Sequence, residues 1–371
     1  MPAGTFRTAT EVYPLGRDSA HTGRKLVVHD QWNQRPVSRT VIARAPTRID
    51  FGGGWTDVPP YPERDGGCVC NVAITRFATV HVRDVGPSGD VDATVRAQSA
   101  ECAPLVAAAV TRAGLRGAAV TLHSDFPIGA GLGGSSAAGV ALQGALAAWR
   151  GEPREPDRAA LAERSRDVEV LDLGVAGGRQ DHYAAAFGGA LGLRFSDRVA
   201  VRPVALSART RADLERRAIL VYTGQSRISG DTITAVIDAY RSSNKRVVTA
   251  LACMKRLAEQ MIDALAAGNV DTLAALVGEH WTHQRALHPA ITTERIDAIM
   301  EHAQAAGAIG GKALGASGGG CVVVIARDAV VDRVRAAVAP LGEIVPFAID
   351  EVGLAIETVP DRVTAGGDAW A

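Results

Sequence analysis

The sequence predicts an α+β fold with mixed sheets and helices, divided into two domains. Three observations support this. The chain has 371 residues, enough for two domains of ordinary size. Its strand-like and helix-like segments do not alternate strictly, which separates it from a doubly wound parallel sheet. The pattern also changes near Ser207–Leu214, where a strand-rich first unit gives way to long helical runs. The expected division is an N-terminal arm (1–39), an N-terminal domain (40–207) and a C-terminal domain (208–371).

Composition narrows the class. With 47% hydrophobic and 22% charged residues, the chain reads as a globular protein. Forty basic residues balance forty acidic ones, which argues against nucleic acid or a membrane surface as partner. A local basic pocket for an anionic substrate stays open. No apolar run reaches the length of a membrane span, and the first residues lack a signal peptide's apolar core. Five cysteines at irregular spacings suit reduced thiols, so a cytoplasmic enzyme is expected. Cys68 and Cys70 would share one strand face and are read as core.

Taken in order, residues 1–39 show little apolar periodicity and read as a poorly ordered arm or peripheral wrap, with Val27, Val28 and Trp32 as anchors. Thr40–Ala45 reads as a strand that Pro46 ends. The long stretch Arg48–Tyr61 mixes Arg, Asp, Trp and Thr with three consecutive glycines and is a binding-loop candidate. Strand patterns follow at Phe77–Val82 and Val91–Arg96, then a helix at Ala103–Ala113 and a strand at Ala118–His123.

Next comes Pro127–Ala138, with four glycines in six residues closing on Ser135 and Ser136 at a helix start. Backbone N–H groups in such a loop can cradle phosphate, and the helix N-terminus adds partial positive charge. The plainer alternative is a tight strand-to-helix turn. No Lys follows the glycines, so the stretch is not a P-loop.

Gly151–Pro156 is a connector, after which Asp157 caps a helical run to about Leu171. Leu173–Gly178 leads into the helix Arg179–Phe187, with strands at Ala190–Phe195 and Val199–Val204 beyond it. The second unit opens with strand Ala218–Tyr222 and loop Thr223–Gly230. Helical segments at Asp231–Ala267, Val270–Glu279 and Thr293–Gly307 follow. The glycine run Gly315–Gly320, strand Cys321–Ala326, helix Ala329–Ala339 and strand-like Glu343–Phe347 and Gly353–Glu357 complete it. His280, His283 and His288 are read as a helix face rather than a zinc site.

Glycine-rich loops near 52, 131 and 318, with an acidic helix start at 181, resemble in that order the kinase superfamily of galactokinase, homoserine kinase, mevalonate kinase and phosphomevalonate kinase (GHMP). The resemblance covers about Thr40 to Glu357. Within it, Thr56–Tyr61, Gly177–Gly189 and Tyr222–Arg227 look like the branch acting on D-glycero-D-manno-heptose 7-phosphate. It implies an active site between the domains and ATP-dependent phosphorylation of an anomeric hydroxyl. Fucokinase-like Gly-Gly-Trp-Thr-Asp at 53–57 keeps a non-phosphorylated sugar such as L-fucose as the alternative, and a catalytically inactive binding protein is a third.

By this resemblance Asp181 is the catalytic base and Arg48 its partner. Gly129, Ala130, Gly131, Leu132, Gly133, Gly134, Ser135 and Ser136 form the nucleotide loop. Mg²⁺ falls to Ser136 or Ser135 together with Glu169, with Glu163 and Asp172 as competitors. The sugar side comprises Gly53, Gly54, Trp55, Thr56, Asp57, Gln180, Arg227, Gly318 and Gly319, with Tyr61 as a neighbour. Arg227, Arg179, Arg64 and Lys312 are candidate clamps for a substrate phosphate. Gly54-Trp55 stands where galactokinases carry Glu-His, which argues against galactose, and Gly134 replaces a serine. A homodimer is compatible with the sequence.

Overall fold

The structure is a computed structural model and describes residues 11–14, 39–85, 94–97, 100–153, 157–225 and 230–360. The expected anchors Val27, Val28 and Trp32 and the clamp candidate Arg227 lie outside these residues. In chain order come β1 (Glu11–Pro14), β2 (Arg39–Gly52), α1 (Tyr61–Asp65), β3 (Gly67–Asp84), β4 (Thr94–Ala97), α2 (Ala103–Ala113) and β5 (Ala118–Ser124). Then follow α3 (Gly134–Trp149), α4 (Arg158–Asp167), α5 (Gln180–Phe187), β6 (Ala190–Phe195), β7 (Arg198–Val204) and α6 (Ala208–Arg217). The remainder is β8 (Ala218–Tyr222), α7 (Gly230–Arg241), α8 (Lys245–Ala266), α9 (Val270–Arg285), α10 (Glu294–Ala305), β9 (Ala308–Ala313), β10 (Cys321–Ala326), α11 (Val331–Val338), β11 (Glu343–Ile344) and β12 (Ala355–Pro360).

Two sheets organise the chain. The first runs β1-β7-β6-β3-β2-β12, with β5 branching from β3 and β4 lying parallel to β5. The second, antiparallel throughout, runs β11-β8-β10-β9. The α+β class with mixed strand directions is as the sequence indicates. Within the expected arm, Glu11–Pro14 adds an edge strand to β7. The last strand, β12, leaves the second unit and pairs antiparallel with β2 from Arg39 to Arg44.

Three local expectations are corrected. Pro46 does not end its strand. β2 continues to Gly52, and the missing donor is absorbed by a register shift between Pro46 and Thr47. This extension carries Arg48 and Asp50 into the interior. β3 is likewise longer than its expected stretch at 77–82. On one edge its first half pairs with β6 and its second with β5, while β2 pairs along the other edge, so one 18-residue strand serves three neighbours. The helical run 231–267 is broken at Ser242–Asn244, where Ser243 takes φ 59° and the Asn244 side chain caps α8 through the Arg246 and Val247 N–H groups.

Burial is unbroken along β3 from Gly67 to Ile74, so both faces are covered there. The helices that pack on β2 and β3 are α3 and α5 from the first unit and α8 from the second. One apolar core thus runs from Val41 and Val80 through α3 to Leu257, Met261 and Val323. A second cluster lies between the 55–61 segment, α7, α8, α10 and the outer face of the second sheet. Among the described residues, no helix is long and apolar enough to cross a membrane.

Candidate active site

The glycine loop between β5 and α3 is held from below by its carbonyls. Ala130 O accepts the Cys321 N–H (2.8 Å), Leu132 O accepts the Arg48 N–H (3.0 Å), and Gly131 O accepts Arg48 Nη1 (2.6 Å). Ala130 and Leu132 bury their side chains. The N–H groups from Gly131 to Ser136 find no partner among the described residues, and α3 begins without a side-chain cap. A row of free donors at a helix start is an anion-binding arrangement. Gly131 must be glycine on two counts. Its φ is 72°, and a Cβ would sit 2.7 Å from Leu314 O. The loop is thereby locked against Leu314, Gly315 and Gly320.

Arg48 and Asp181 meet at this lip from positions 133 residues apart. Nε and Nη2 of Arg48 donate to Oδ1 and Oδ2 of Asp181 at 2.8 and 2.7 Å. The guanidinium is buried, while the carboxylate keeps 25% of its side-chain surface. A bidentate pair fixes the plane of the carboxylate and leaves each oxygen a further lone pair for a substrate hydroxyl. The start of α5 aims Asp181 at the loop, close enough that a Cβ on Gly133 would lie 3.1 Å from its Oδ2.

The 53–57 segment divides in two. Asp57 is buried, and its Oδ2 accepts the Gln180 N–H at 2.9 Å. Gly178 packs flat against it, where any Cβ would strike the carboxylate. Thr56, by contrast, spends its hydroxyl inside the protein. It donates toward Gly53 O (2.7 Å) and Cys68 O (3.1 Å) and accepts the Cys68 N–H. Trp55, at φ 81°, packs in the second apolar cluster with Tyr61, Val236, Tyr240 and Leu251. Gly53 donates its N–H to His280 Nε2 (2.9 Å). Burial, with Lys312 and His283 adding, holds that imidazole far below its ordinary pKa, so the neutral ring is the acceptor. His280 is therefore an interior strut on α9, His283 shares that helix, and His288 lies beyond its end at Arg285. Gly54 lies over Asp50 and the Gln180 amide, and Gly318 and Gly319 are set against Ile291 and Gln225.

Asp57 titrates late. Burial, with Asp181 and Asp50 adding, outweighs the Gln180 N–H and pushes its pKa from 3.8 up to about 6. The native state therefore holds this proton more tightly than the unfolded chain, and the Asp57 contribution to stability falls as pH rises from 3.8 to about 6. At neutral pH the ionised group costs about 3 kcal/mol. Asp57→Asn keeps an acceptor for Gln180 and removes that cost. Denaturation at pH 4 and pH 7 should show the variant more stable than the parent at pH 7, with the gap narrowing at pH 4. Identical pH slopes for the two proteins would contradict the assignment.

Beside the loop, Ser136 Oγ lies 3.4 Å from Glu169 Oε2, and Ser135 also bonds that carboxylate. The competitors are engaged elsewhere: Glu163 with Arg179 and Tyr183, and Asp172 with Arg112. Burial raises the Glu169 pKa, but His182 and the two serines more than offset it, and the net shift is downward. An ionised carboxylate with two hydroxyls fits a hard divalent cation. Among the described residues no cluster of three or more His, Cys, Asp or Glu side chains gathers at one point.

Sequence reasoning missed three residues. Asp50 forms a fully buried ion pair with Lys312 (2.8 Å), so Lys312 braces the site and does not line an open clamp. His182 contacts Glu169, and the Arg166 guanidinium feels the Arg179 charge. A signal for Asp50 existed in its alternation with Arg48 along β2, but Pro46 hid the strand. Arg64 lies over the Tyr240 ring. Cys68 and Cys70 are core.

Residues 100–189 match the family described as GHMP kinases N terminal domain, and residues 261–342 match GHMP kinases C terminal. The chain is 28% identical over 305 residues to D-glycero-alpha-D-manno-heptose 7-phosphate kinase of Campylobacter jejuni, covering 76% of this chain and 88% of that protein. It is 34% identical over 271 residues to galactokinase of Mycobacterium tuberculosis, covering 61% and 70% respectively. A solved structure described as a D-glycero-D-manno-heptose 1-phosphate kinase from Bacteroides thetaiotaomicron is similar with a TM-score of 0.70 at 26% identity. That match covers 85% of this chain and 98% of the other.

Proposed function

The chain belongs to the GHMP kinase family, and from that premise we propose that it is an ATP-dependent sugar kinase phosphorylating the anomeric hydroxyl of a heptose 7-phosphate. The observation that carries the kinase assignment is the bidentate Arg48–Asp181 pair at the lip of a loop whose N–H groups are free. The identities with the heptose kinase relatives support the sugar class.

In this mechanism the loop Gly129–Ser136 and the start of α3 bind the nucleotide phosphates through backbone N–H groups. Asp57 accepts hydroxyl hydrogen bonds from the sugar and orients it. Asp181 takes the proton of the anomeric hydroxyl as its oxygen bonds to the γ-phosphorus, and the bond from phosphorus to the ADP oxygen breaks. Arg48 keeps the Asp181 carboxylate in plane and, through Gly131 O, ties its position to the loop. Ser135, Ser136 and Glu169 would hold Mg²⁺, which supplies positive charge against the transferring phosphoryl group.

For the phosphate already on the sugar, Arg179 and Arg166 are the favoured clamp. Arg179 adjoins Gln180, whose N–H holds Asp57, and pairs with Glu163 at 3.3 Å. Arg166 Nε is buried without a hydrogen-bond partner among the described residues. Burial, then the Arg179 charge, pull its pKa down, a penalty that a bound dianion would relieve. Free cysteines at all five positions suit a reducing cytoplasm.

The test is ADP release over a panel of heptose 7-phosphate, the free heptose and L-fucose. We expect kcat/KM for the phosphorylated sugar to exceed that for the free sugar by at least about 100-fold, the worth of one or two charge-assisted hydrogen bonds. Arg179→Gln should erase most of that ratio by raising KM. Equal rates with and without the 7-phosphate would refute the phosphorylated acceptor, and preference for L-fucose would favour the alternative sugar.

A further inference from the structure

Two adjacent residues at the start of α5 serve different halves of the site. Asp181 turns to Arg48, while His182 turns inward and is 1% exposed. His182 Nε2 lies 3.1 Å from Glu169 Oε2 and 3.3 Å from Ser136 Oγ, and its Nδ1 lies 2.9 Å from Ser165 Oγ. Ser165 is wholly buried on α4. It fits because α3 carries glycine at 139, where a Cβ would fall 2.2 Å from the Ser165 hydroxyl. A continuous polar line therefore runs Ser165–His182–Glu169–Ser136 across the junction of α3, α4 and α5.

A neutral imidazole has one donor and one acceptor. With Nε2–H donated to Glu169, Nδ1 accepts the Ser165 hydroxyl hydrogen, and that bond selects the tautomer. Glu169 sits in a widened helical turn, Val168–Asp172, between α4 and the 173–178 segment. The His182 and Ser136 contacts hold the Glu169 carboxylate on the loop side of that turn.

We propose that His182 is a positioning residue that fixes the Glu169 carboxylate toward Ser136 for the divalent cation accompanying the nucleotide, with Ser165 setting the imidazole tautomer. The assignment rests on Glu169 and Ser136 holding that cation. Outer groups of this kind typically change metal affinity by about 10–100-fold.

The test measures Mn²⁺ binding to the full chain with ADP present, by electron paramagnetic resonance of free Mn²⁺, a readout that needs no turnover. His182→Ala should weaken Mn²⁺ binding by about 10-fold or more and raise the Mg²⁺ concentration for half-maximal velocity more than it lowers kcat at saturating Mg²⁺. His182→Gln, whose amide reproduces the Nε2–H donor, should restore most of the affinity. Ser165→Ala, which removes a single hydroxyl, should weaken Mn²⁺ in the same direction by a smaller factor. If Glu169→Gln weakens Mn²⁺ and His182→Ala does not, the positioning role is overturned while the metal site stands. If Glu169→Gln leaves Mn²⁺ affinity unchanged, the metal site itself is overturned and the positioning role with it.

Discussion

Asp181→Asn should lower kcat by about 10²–10⁴-fold, the usual worth of a positioned general base, while leaving nucleotide affinity nearly unchanged. The asparagine Oδ1 still accepts one hydrogen bond from Arg48, so the pair's geometry survives in part. What is lost is a group able to take the hydroxyl proton. The loop carbonyls of Ala130, Gly131 and Leu132 keep their partners, none of which is Asp181. A binding titration with ADP and single-turnover phosphoryl transfer separate the two effects. A variant with parental turnover would remove Asp181 from the chemistry, and one that loses ADP affinity by the same factor would make it a scaffold for the loop.

The second large effect falls on stability. Lys312→Met should destabilise the protein by about 3–5 kcal/mol, because it strands the Asp50 carboxylate inside the protein. Lys312 Nζ is its one hydrogen-bonded partner among the described residues: Oδ2 accepts at 2.8 Å and Oδ1 accepts nothing. Burial lowers the Lys312 pKa, with Asp50 opposing. A neutral pair, Asp50→Asn with Lys312→Met, should recover much of the loss, since the penalty belongs to the unpaired charge and not to the missing contact. Thermal denaturation of the two single variants and the double variant completes the cycle. A Lys312→Met protein melting within about 2 °C of the parent would show that Asp50 finds water or another donor.

The outline of the fold was legible because β-branched runs, caps and glycine runs are local signals. Asp157 and Asn244 show the limit of such signals: both cap helices, yet the second interrupts a run that reads as continuous by periodicity. The buried run Gly67–Ile74 escaped notice because a strand covered on both faces loses its alternation. In the candidate site, the glycine loop and the acidic start of α5 are local motifs that can be read along the chain. Which side chains meet across 133 or 262 residues is set by the packing of α5, β2 and β9, and no local pattern encodes it. Thr56 illustrates the converse. Its polarity and neighbours suggest a sugar contact, while its hydroxyl is fully used in clipping the loop to β3.

The return of β12 to β2 bears on the order of assembly during synthesis. Residues 39–44 wait for partners at 355–360, so an interior strand of the first sheet keeps one open edge until nearly the whole described chain has left the ribosome. Closing that pairing requires the second unit to be looped out between two strands of the first, a non-local step of the kind that slows folding. The exposed edge of β2, carrying Val41 and Ala43, is then the surface most open to mispairing, and chaperone protection of the nascent chain should matter most there.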